Sequence, residues 1–312
     1  MENLVDCPHC GAGQGGRLFH AADPLSSDRF EVRRCRSCRL TYVSPRPDAE
    51  HLAAYYPDGY FGKRHPVLKD FFMDLRVRAL PPVLAGGRIL DIGCGRGDFL
   101  MACRRKGWQV AGVEQAGAPI MELRRELGLE VVATTELSTL ADASFDVVTL
   151  WHVFEHMADP RATLRDAHRL LKPGGSIVIE VPNFGSWQAR MGPKHWFHLD
   201  VPRHLLHFER KTLAAMLEAE GFTPQRWATF SAEYDAFGMM QSLLNRLCAT
   251  PNWLFQILIG RRTGVSPLRD ALATLVATLP LAVISTVVSA VAPAFGQGGV
   301  LRVVATRSSA RS

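Results

Sequence analysis

A glycine-rich loop is the first feature of this chain with a clear chemical meaning. Residues 91–99 read DIGCGRGDF and follow the apolar residues RIL. Glycines let a backbone turn sharply and approach a ligand without a Cβ in the way. Glu114 ends the next apolar stretch, 21 residues after Gly93. A carboxylate at that distance can reach the ribose hydroxyls of an adenosine-containing ligand, so the loop and the acid together predict a nucleoside site.

The glycine spacing separates two kinds of adenosine ligand. Dinucleotide sites use G-x-G-x-x-G, with a helix N-terminus that faces a pyrophosphate. Here the glycines are Gly93, Gly95 and Gly97, and Asp91 precedes them. A carboxylate at this place repels a pyrophosphate and suits a ligand that carries an ammonium and a sulfonium group.

Histidines are concentrated after two later apolar stretches. They are His152, His156, His195, His198, His204 and His207. Ligands of open α/β sheets bind at the carboxyl ends of the strands, and histidine can take a proton from a nucleophile near neutral pH. His204 is predicted to be a base or a substrate-orienting residue, with His152 and His198 as further catalytic candidates. Arg203 could hold a carboxylate or phosphate. The alternative is that these side chains pack a lid.

Two C-x-x-C pairs predict a metal site near the N-terminus. Cys7 and Cys10 form one pair, and Cys35 and Cys38 form the other. Four thiolates match a closed tetrahedral zinc site, and so short a segment cannot bury enough apolar surface to fold alone. We expect structural Zn²⁺ in a zinc-ribbon-like module over residues 1–45, with His9 pointing outward. Redox dithiols or a degenerate site are the alternatives.

The elements that must position these residues follow a repeating pattern. From Arg88 onward, short apolar stretches alternate with amphipathic ones. Strands are predicted at 88–93, 108–114, 129–133, 145–151, 176–183, 222–230 and 299–307, and helices at 66–80, 97–107, 118–128, 160–175 and 211–221. Such βα repeats predict a doubly wound, mostly parallel, seven-stranded α/β sheet. The predicted organisation is a module at 1–45, a connector and helix at 46–87, a sheet domain at 88–232 and 299–312, and an apolar helical insert at 233–298.

This region resembles the class I S-adenosylmethionine-dependent methyltransferases, a Rossmann-like family. LDIGCGRGDFL is similar to the family's first motif, GVE to its second-strand acid, and residues 145–183 to its fourth and fifth strands. The run is more similar still to ubiquinone-biosynthesis-like small-molecule methyltransferases, with HVFEH after the fourth strand. HLDVPRHLLHF resembles a subgroup found near glycan and natural-product pathways.

The resemblance implies S-adenosylmethionine as the cofactor and assigns residues to its parts. By position, the methionine end would lie against the glycine loop, the ribose against the acid, the adenine edge against the next residue, and the methyl group near the end of the fourth strand. The residues are, in that order, Asp91, Gly93, Cys94, Gly95 and Gly97; Glu114; Gln115; and Trp151 and His152. An acid that would bind the adenine amine is not obvious, and Glu136 or Asp142 could serve.

The insert is unusually apolar. Residues 271–292 carry no charge and are long enough to span a bilayer. A strand follows at once and should return to the same sheet, so a single span is disfavoured, and Pro280 predicts a kinked or hairpin pair of short helices. Arg261, Arg262 and Arg269 could meet anionic head groups. Peripheral membrane contact through residues 250–296 and burial in a homodimer both stay open.

Composition narrows the class of protein. The 312 residues are 47% hydrophobic and 21% charged, which suits a packed core, and the net charge of +6 lacks a long basic tract. The seven cysteines and a start without a secretory pattern predict a cytoplasmic protein, and the apolar insert leaves a peripheral location at the inner face of the membrane open. The expected methyl acceptor is a small molecule, a glycan or a lipid-linked molecule. The rivals are an RNA methyltransferase whose zinc module grips RNA, against which no dense basic stripe is found, and a non-catalytic scaffold, which would not need the histidines.

Overall fold

Two β-sheets organise the chain in the computed structural model, which describes residues 3–4, 6–26, 28–56, 66–82, 86–115, 118–260 and 267–308. The strands are β1 Gly16–Ala22, β2 Arg29–Arg34, β3 Thr41–Val43, β4 Arg88–Ile92, β5 Gln109–Glu114, β6 Glu130–Ala133, β7 Phe145–Trp151, β8 Leu171–Pro182, β9 Leu206–His207, β10 Phe222–Ala228 and β11 Val300–Arg307. The helices are α1 Ala49–Leu52, α2 Pro66–Arg78, α3 Asp98–Arg105, α4 Ala118–Leu127, α5 Pro160–Leu170, α6 Trp187–Arg190, α7 Arg210–Ala219, α8 Asp235–Leu244, α9 Trp253–Leu258 and α10 Pro267–Val291.

The larger sheet has seven strands in the order β10-β11-β8-β7-β4-β5-β6. Strands β4 to β8 pair in parallel, and β11 runs antiparallel to both of its neighbours. Strands buried on both faces read as continuous apolar runs, as the sequence of β7 does. The predicted fold class, a doubly wound and mostly parallel sheet, is confirmed.

A local capping signal sets the start of α5. Helix α5 begins after Asp159, whose carboxylate accepts the Ala162 N–H at 2.9 Å, and Pro160 occupies its first turn. The helix was predicted to run to residue 175, and that boundary is wrong. It ends at Leu170 because Leu171 already pairs with Phe145 as the first residue of β8.

The smaller sheet joins the N-terminal segment to a distant part of the chain. Its order is β1-β2-β3-β9, and β9 begins two residues after His204. Val43 N–H donates to the Leu205 carbonyl at 2.9 Å, which extends the pairing towards His204. The module predicted over residues 1–45 therefore shares its sheet with residues 206–207.

The described residues of the insert form helices α8, α9 and α10. Helix α10 continues through Pro280 for 25 residues and lies along α8. The predicted hairpin of short helices is therefore wrong. A proline inside a helix removes one hydrogen bond, and packing along α8 keeps the two halves of α10 in one helix.

Candidate active site at the carboxyl edge of the sheet

The glycine loop follows β4 at the carboxyl edge of the larger sheet. Gly93, Gly95 and Gly97 have φ of 75°, 53° and 74°, a region that favours glycine. A Cβ on Gly93 would lie 2.5 Å from a Val153 methyl carbon, and one on Gly97 would lie 2.7 Å from Leu129. A Cβ on Gly95 would meet no atom within 4 Å. Neighbouring side chains thus pack closely against Gly93 and Gly97, whereas the space beside Gly95 is open to a ligand.

Glu114 lies where the adenosine assignment requires it. Its Oε2 accepts the Gly95 N–H at 2.7 Å, and its Oε1 accepts the Gln115 N–H at 2.8 Å. A carboxylate oxygen can accept two hydrogen bonds, so each oxygen keeps capacity for a ribose hydroxyl. Gln115 is exposed beside it. The residues present therefore fit an adenosine group held between Glu114 and the loop.

Asp91 and Cys94 turn inward. Asp91 is buried and accepts the Thr149 hydroxyl at 2.6 Å. Burial raises its pKa to about 7, although the Thr149 hydrogen bond opposes the shift. Cys94 is buried against Gly112 and Leu100, so its side chain is part of the core. Only the backbone of this loop residue is left for a ligand. A contact between Asp91 and a ligand ammonium stays a prediction.

The side chain of Trp151 is also buried in the interior. Its ring lies 5.4 Å from the Arg76 guanidinium carbon and 5.5 Å from that of Arg302, with Phe99 against its edge. Side chains alternate along a strand, and this position shares the core of Val147 on the face covered by α2 and α3. The prediction that Trp151 borders the methyl group is therefore corrected.

The two acids suggested for the adenine amine lie in different places. Asp142 precedes β7, at the opposite edge of the sheet, and pairs with Arg169 at 2.5 Å, so it is excluded. Glu136 accepts the Ala133 N–H at 3.0 Å through one oxygen, at the start of a short 3₁₀ turn that follows β6. Its contact with the adenine amine stays a prediction.

His152 follows β7 with a left-handed backbone, φ 54°. Its Nε2 lies 3.0 Å from Glu180, its Nδ1 lies 3.5 Å from Glu155, and its ring lies 4.2 Å from that of Tyr234. Burial disfavours the imidazolium, but Tyr234, Glu155 and Glu180 outweigh it and raise the pKa of His152 well above its ordinary value. An imidazolium cannot accept a proton, so the structure does not support His152 as a base.

His198 is tightly packed in the interior. It is buried, and a Cβ on Gly238 would lie 2.4 Å from its Nε2, so the ring fits closely against α8. Burial, together with the charges of His152 and His204, lowers its pKa to about 3. A neutral, tightly packed imidazole does not fit the catalytic role predicted for His198.

His204 is held through Nδ1 by a backbone carbonyl, and its Nε2 faces Glu155. Nδ1 lies 2.8 Å from the His198 carbonyl oxygen, which can only accept, so Nδ1 carries a proton. Nε2 lies 3.9 Å from Glu155 Oε1. The side chain is 12% exposed, at the edge of the cluster.

Sequence reasoning missed Glu155. The residue was noted only as part of HVFEH, yet its carboxylate lies between His152 and His204 and is 1% exposed. Burial opposes its charge, but His152, His156 and His204 lower its pKa to about 2. A carboxylate between two histidines in one short motif was the available signal.

Arg203 is structural. Its side chain is fully buried and donates to Asp200 at 2.6 Å, to Asp23 at 2.7 Å and to the Tyr55 carbonyl at 3.0 Å. The suggestion that it holds a substrate anion is wrong, because its donors join the N-terminal module to the His204 segment.

The four cysteines of the N-terminal module come together. Cys7 and Cys38 Sγ atoms are 3.5 Å apart, and those of Cys10 and Cys35 are 3.6 Å apart. Four thiolates around one zinc at about 2.3 Å are separated by roughly 3.8 Å, so the set fits that ion. His9 is buried, which corrects the outward orientation predicted for it. The fourth residue after each first cysteine has a positive φ, Gly11 in one turn and Arg39 in the other, so the two turns share one geometry.

Comparison with known proteins assigns the region of the larger sheet to a methyltransferase family. A family profile described as a methyltransferase domain matches residues 63–226, more than half of the chain. The ubiquinone biosynthesis O-methyltransferase of Pseudomonas aeruginosa is 36% identical over 107 residues, which are 32% of this chain and 46% of that protein. The protein of the same name from Idiomarina loihiensis is 34% identical over 137 residues, 41% of this chain and 54% of that protein.

The chain thus spans about half the length of the curated relatives it matches. Among solved structures, a SAM dependent methyltransferase from Archaeoglobus fulgidus is 21% identical with a TM-score of 0.48, covering 76% of this chain and 94% of that one. Together with the glycine loop and the acid that ends β5, the profile match shows that this chain belongs to the methyltransferase domain family, among the class I S-adenosylmethionine-dependent methyltransferases.

Proposed function

We propose that this chain transfers a methyl group from S-adenosylmethionine to a small-molecule, glycan or lipid-linked acceptor. One observation carries the proposal: the adenosine-binding features after β4 and β5 and the histidine cluster after β7 lie along the same edge of one sheet. Ligands of open α/β folds bind at that edge. The relatives named as O-methyltransferases of ubiquinone biosynthesis support a small acceptor.

The chain's own residues divide the work between two ends of the site. Glu114 and the Gly95 backbone hold the adenosine, with Gln115 at the adenine edge. Bound S-adenosylmethionine supplies an electrophilic methyl group on a sulfonium. His152, held between Glu155 and Glu180, forms one charged side of the site, and His204 activates or orients the acceptor through Nε2.

The test is a search for product. Purified protein is incubated with S-adenosylmethionine and a fractionated small-molecule extract, and mass spectrometry reads the gain of one methyl group. His204→Ala should keep cofactor binding and lose turnover by about 10²–10⁴-fold. His195→Ala removes an exposed histidine of the same segment and should keep full activity. Full activity in His204→Ala would remove that residue from the acceptor site.

The cysteine cluster supports a second part of the proposal. Cys7, Cys10, Cys35 and Cys38 hold a structural Zn²⁺, which stabilises the module without taking part in the reaction. Because β9 belongs to that sheet, the ion also holds the segment that carries His204.

Helix α10 supports peripheral membrane contact. It buries polar side chains, Asp270, Ser285 and Ser289, and exposes apolar ones. The exposed set is Leu268, Leu272, Leu275, Val276, Leu279, Val283, Ile284, Val287 and Val291. The helix Pro267–Phe295 is long and apolar enough to cross a membrane by length and composition alone. Since β10 and β11 pair side by side around the insert, we favour α10 lying on the inner face of a membrane rather than spanning it.

Arg269, exposed at the start of α10, suits anionic head groups. Arg261 and Arg262, which were expected to do the same, lie outside the described residues. A lipid-linked acceptor would reach an enzyme held in this way without leaving the bilayer surface.

A further inference from the structure

A buried carboxylate without a hydrogen-bond donor lies inside the histidine cluster. Among the described residues, neither oxygen of Glu155 has a hydrogen-bond partner, and the side chain is 1% exposed. Its nearest nitrogens, His152 Nδ1 at 3.5 Å and His204 Nε2 at 3.9 Å, are at ion-pair distance only. A buried charged oxygen without a donor costs free energy, so such a group calls for an occupant.

Two neighbouring imidazoles are held by backbone carbonyls as metal-binding histidines often are. Nδ1 of His204 is bound to the His198 carbonyl oxygen at 2.8 Å, and Nδ1 of His156 lies 2.9 Å from the Arg203 carbonyl oxygen. Because a carbonyl only accepts, both Nδ1 atoms carry a proton, and Nε2 is the nitrogen of each ring that can bind an ion. Metal-binding histidines in proteins are commonly oriented by such a bond from the second nitrogen.

The three side chains are close enough for one ion. One ligand atom each from Glu155, His156 and His204 all lie within 4.8 Å of one another. An ion about 2.0–2.2 Å from each atom would bring them to roughly 3–4 Å apart, so binding needs a contraction of about 1 Å in the largest separation. We infer that Glu155, His156 and His204 bind one divalent transition-metal cation, distinct from the ion of the cysteine cluster.

The chemistry of the ligands narrows the ion and its role. Two imidazoles and one carboxylate suit Zn²⁺, Fe²⁺, Co²⁺ or Mn²⁺ and leave coordination positions free. The role, unlike the site, rests on the proposed function: a cation there lowers the pKa of an acceptor hydroxyl, which then releases its proton to water. Free positions favour an acceptor with two adjacent oxygen atoms. His204 then acts as a metal ligand, which specifies how it activates or orients the acceptor.

The test separates metal binding from catalysis. Full-length protein carrying one equivalent of Zn²⁺, which the four thiolates bind preferentially, is titrated with Co²⁺ and followed by visible absorption and equilibrium dialysis. We expect about one Co²⁺ per chain, with weak bands and no thiolate-to-cobalt charge transfer. Glu155→Gln and His204→Gln should each weaken Co²⁺ by at least about 100-fold, since even loss of an outer-shell partner commonly costs 10–100-fold. His195→Gln should bind as the wild type does.

Two controls keep the result interpretable. Glu155→Asp retains the carboxylate and should bind Co²⁺ more tightly than Glu155→Gln, whereas a merely structural defect would affect both alike. Titration with S-adenosylmethionine checks that each variant keeps its glycine-loop site. A wild type that takes up no second ion, or variants that bind Co²⁺ as tightly as the wild type, would overturn the inference. Methyl transfer that persists without the ion would leave the proposed function standing, and a loaded site without any methylated product would refute that function instead.

Discussion

The buried charges of a few residues determine the electrostatics of this site. Glu155 and Glu180 are each 1% exposed, and His152 lies between them, while Arg302 approaches Glu180 at 2.5 Å. Buried charges persist only when paired, since desolvation of each costs several kcal/mol. The acids on either side raise the pKa of His152 and favour its imidazolium form, so His204 rather than His152 is the candidate to act on the acceptor.

Asp91 gives a pH-dependent prediction at this scale. Burial raises its pKa to about 7, above the ordinary value of 3.8. Between about pH 4 and 7 the folded chain therefore keeps a proton that the unfolded chain loses, so this residue makes the free energy of unfolding fall as the pH rises. Asp91→Asn should flatten that fall by an amount on the order of a few kcal/mol.

Urea unfolding at pH 5 and pH 7.5 measures the effect. Glu122→Gln, which changes an exposed acid on α4, serves as the matched control and should leave the pH dependence unchanged. If Asp91→Asn and wild type show the same difference between the two pH values, Asp91 is not a protonated buried acid.

At the scale of elements, local patterns were readable and distant pairings were not. The strands β4 to β8 and the glycine loop follow from apolar runs and turn residues that are contiguous in the sequence. Strand β9 has two residues and pairs with β3, more than 160 residues earlier in the chain, so no local period marks it. The inward turn of Trp151 depends on a side-chain alternation that shifts with one residue of register.

The zinc module yields a prediction about its attached strand. Cys35→Ser should lose one zinc per chain and increase amide exchange at residues 29–43 and 204–208, because β9 pairs within the module's sheet. The glycine loop lies in the other sheet, so S-adenosylmethionine should still bind. Cys248→Ser, which changes a cysteine outside the cluster, should keep the metal.

Elemental analysis and hydrogen exchange read the two effects. A fully folded wild type without zinc would refute the structural role of the ion. Unchanged exchange at 204–208 in Cys35→Ser would show that the His204 segment does not depend on the module.

At the scale of the whole molecule, α10 exposes apolar side chains and buries polar ones, which is the reverse of an ordinary surface helix. Large contiguous apolar surfaces mark contact with a membrane or another protein. Leu275→Glu combined with Leu279→Glu places two charges on this face and should abolish flotation with anionic liposomes. The matched control is Met121→Glu, a change at an exposed apolar residue of α4, which should leave flotation intact.

Measuring the oligomeric state of the same proteins without lipid tests the alternative, an interface between two copies. If wild type stays in the soluble fraction as a dimer and the double variant becomes a monomer, the face is an interface between two copies and the membrane contact is refuted.

The central claim is that the glycine loop and Glu114 form the S-adenosylmethionine site. The most direct measurement is calorimetric titration of S-adenosylmethionine into wild type, Glu114→Ala and the control Glu122→Gln. Two charge-assisted hydrogen bonds at about 1.5–3 kcal/mol each predict a loss of affinity of at least about 100-fold in Glu114→Ala and none in the control. Equal affinity in Glu114→Ala and wild type would contradict the ribose assignment, and tighter binding of NAD than of S-adenosylmethionine by the wild type would contradict the cofactor itself.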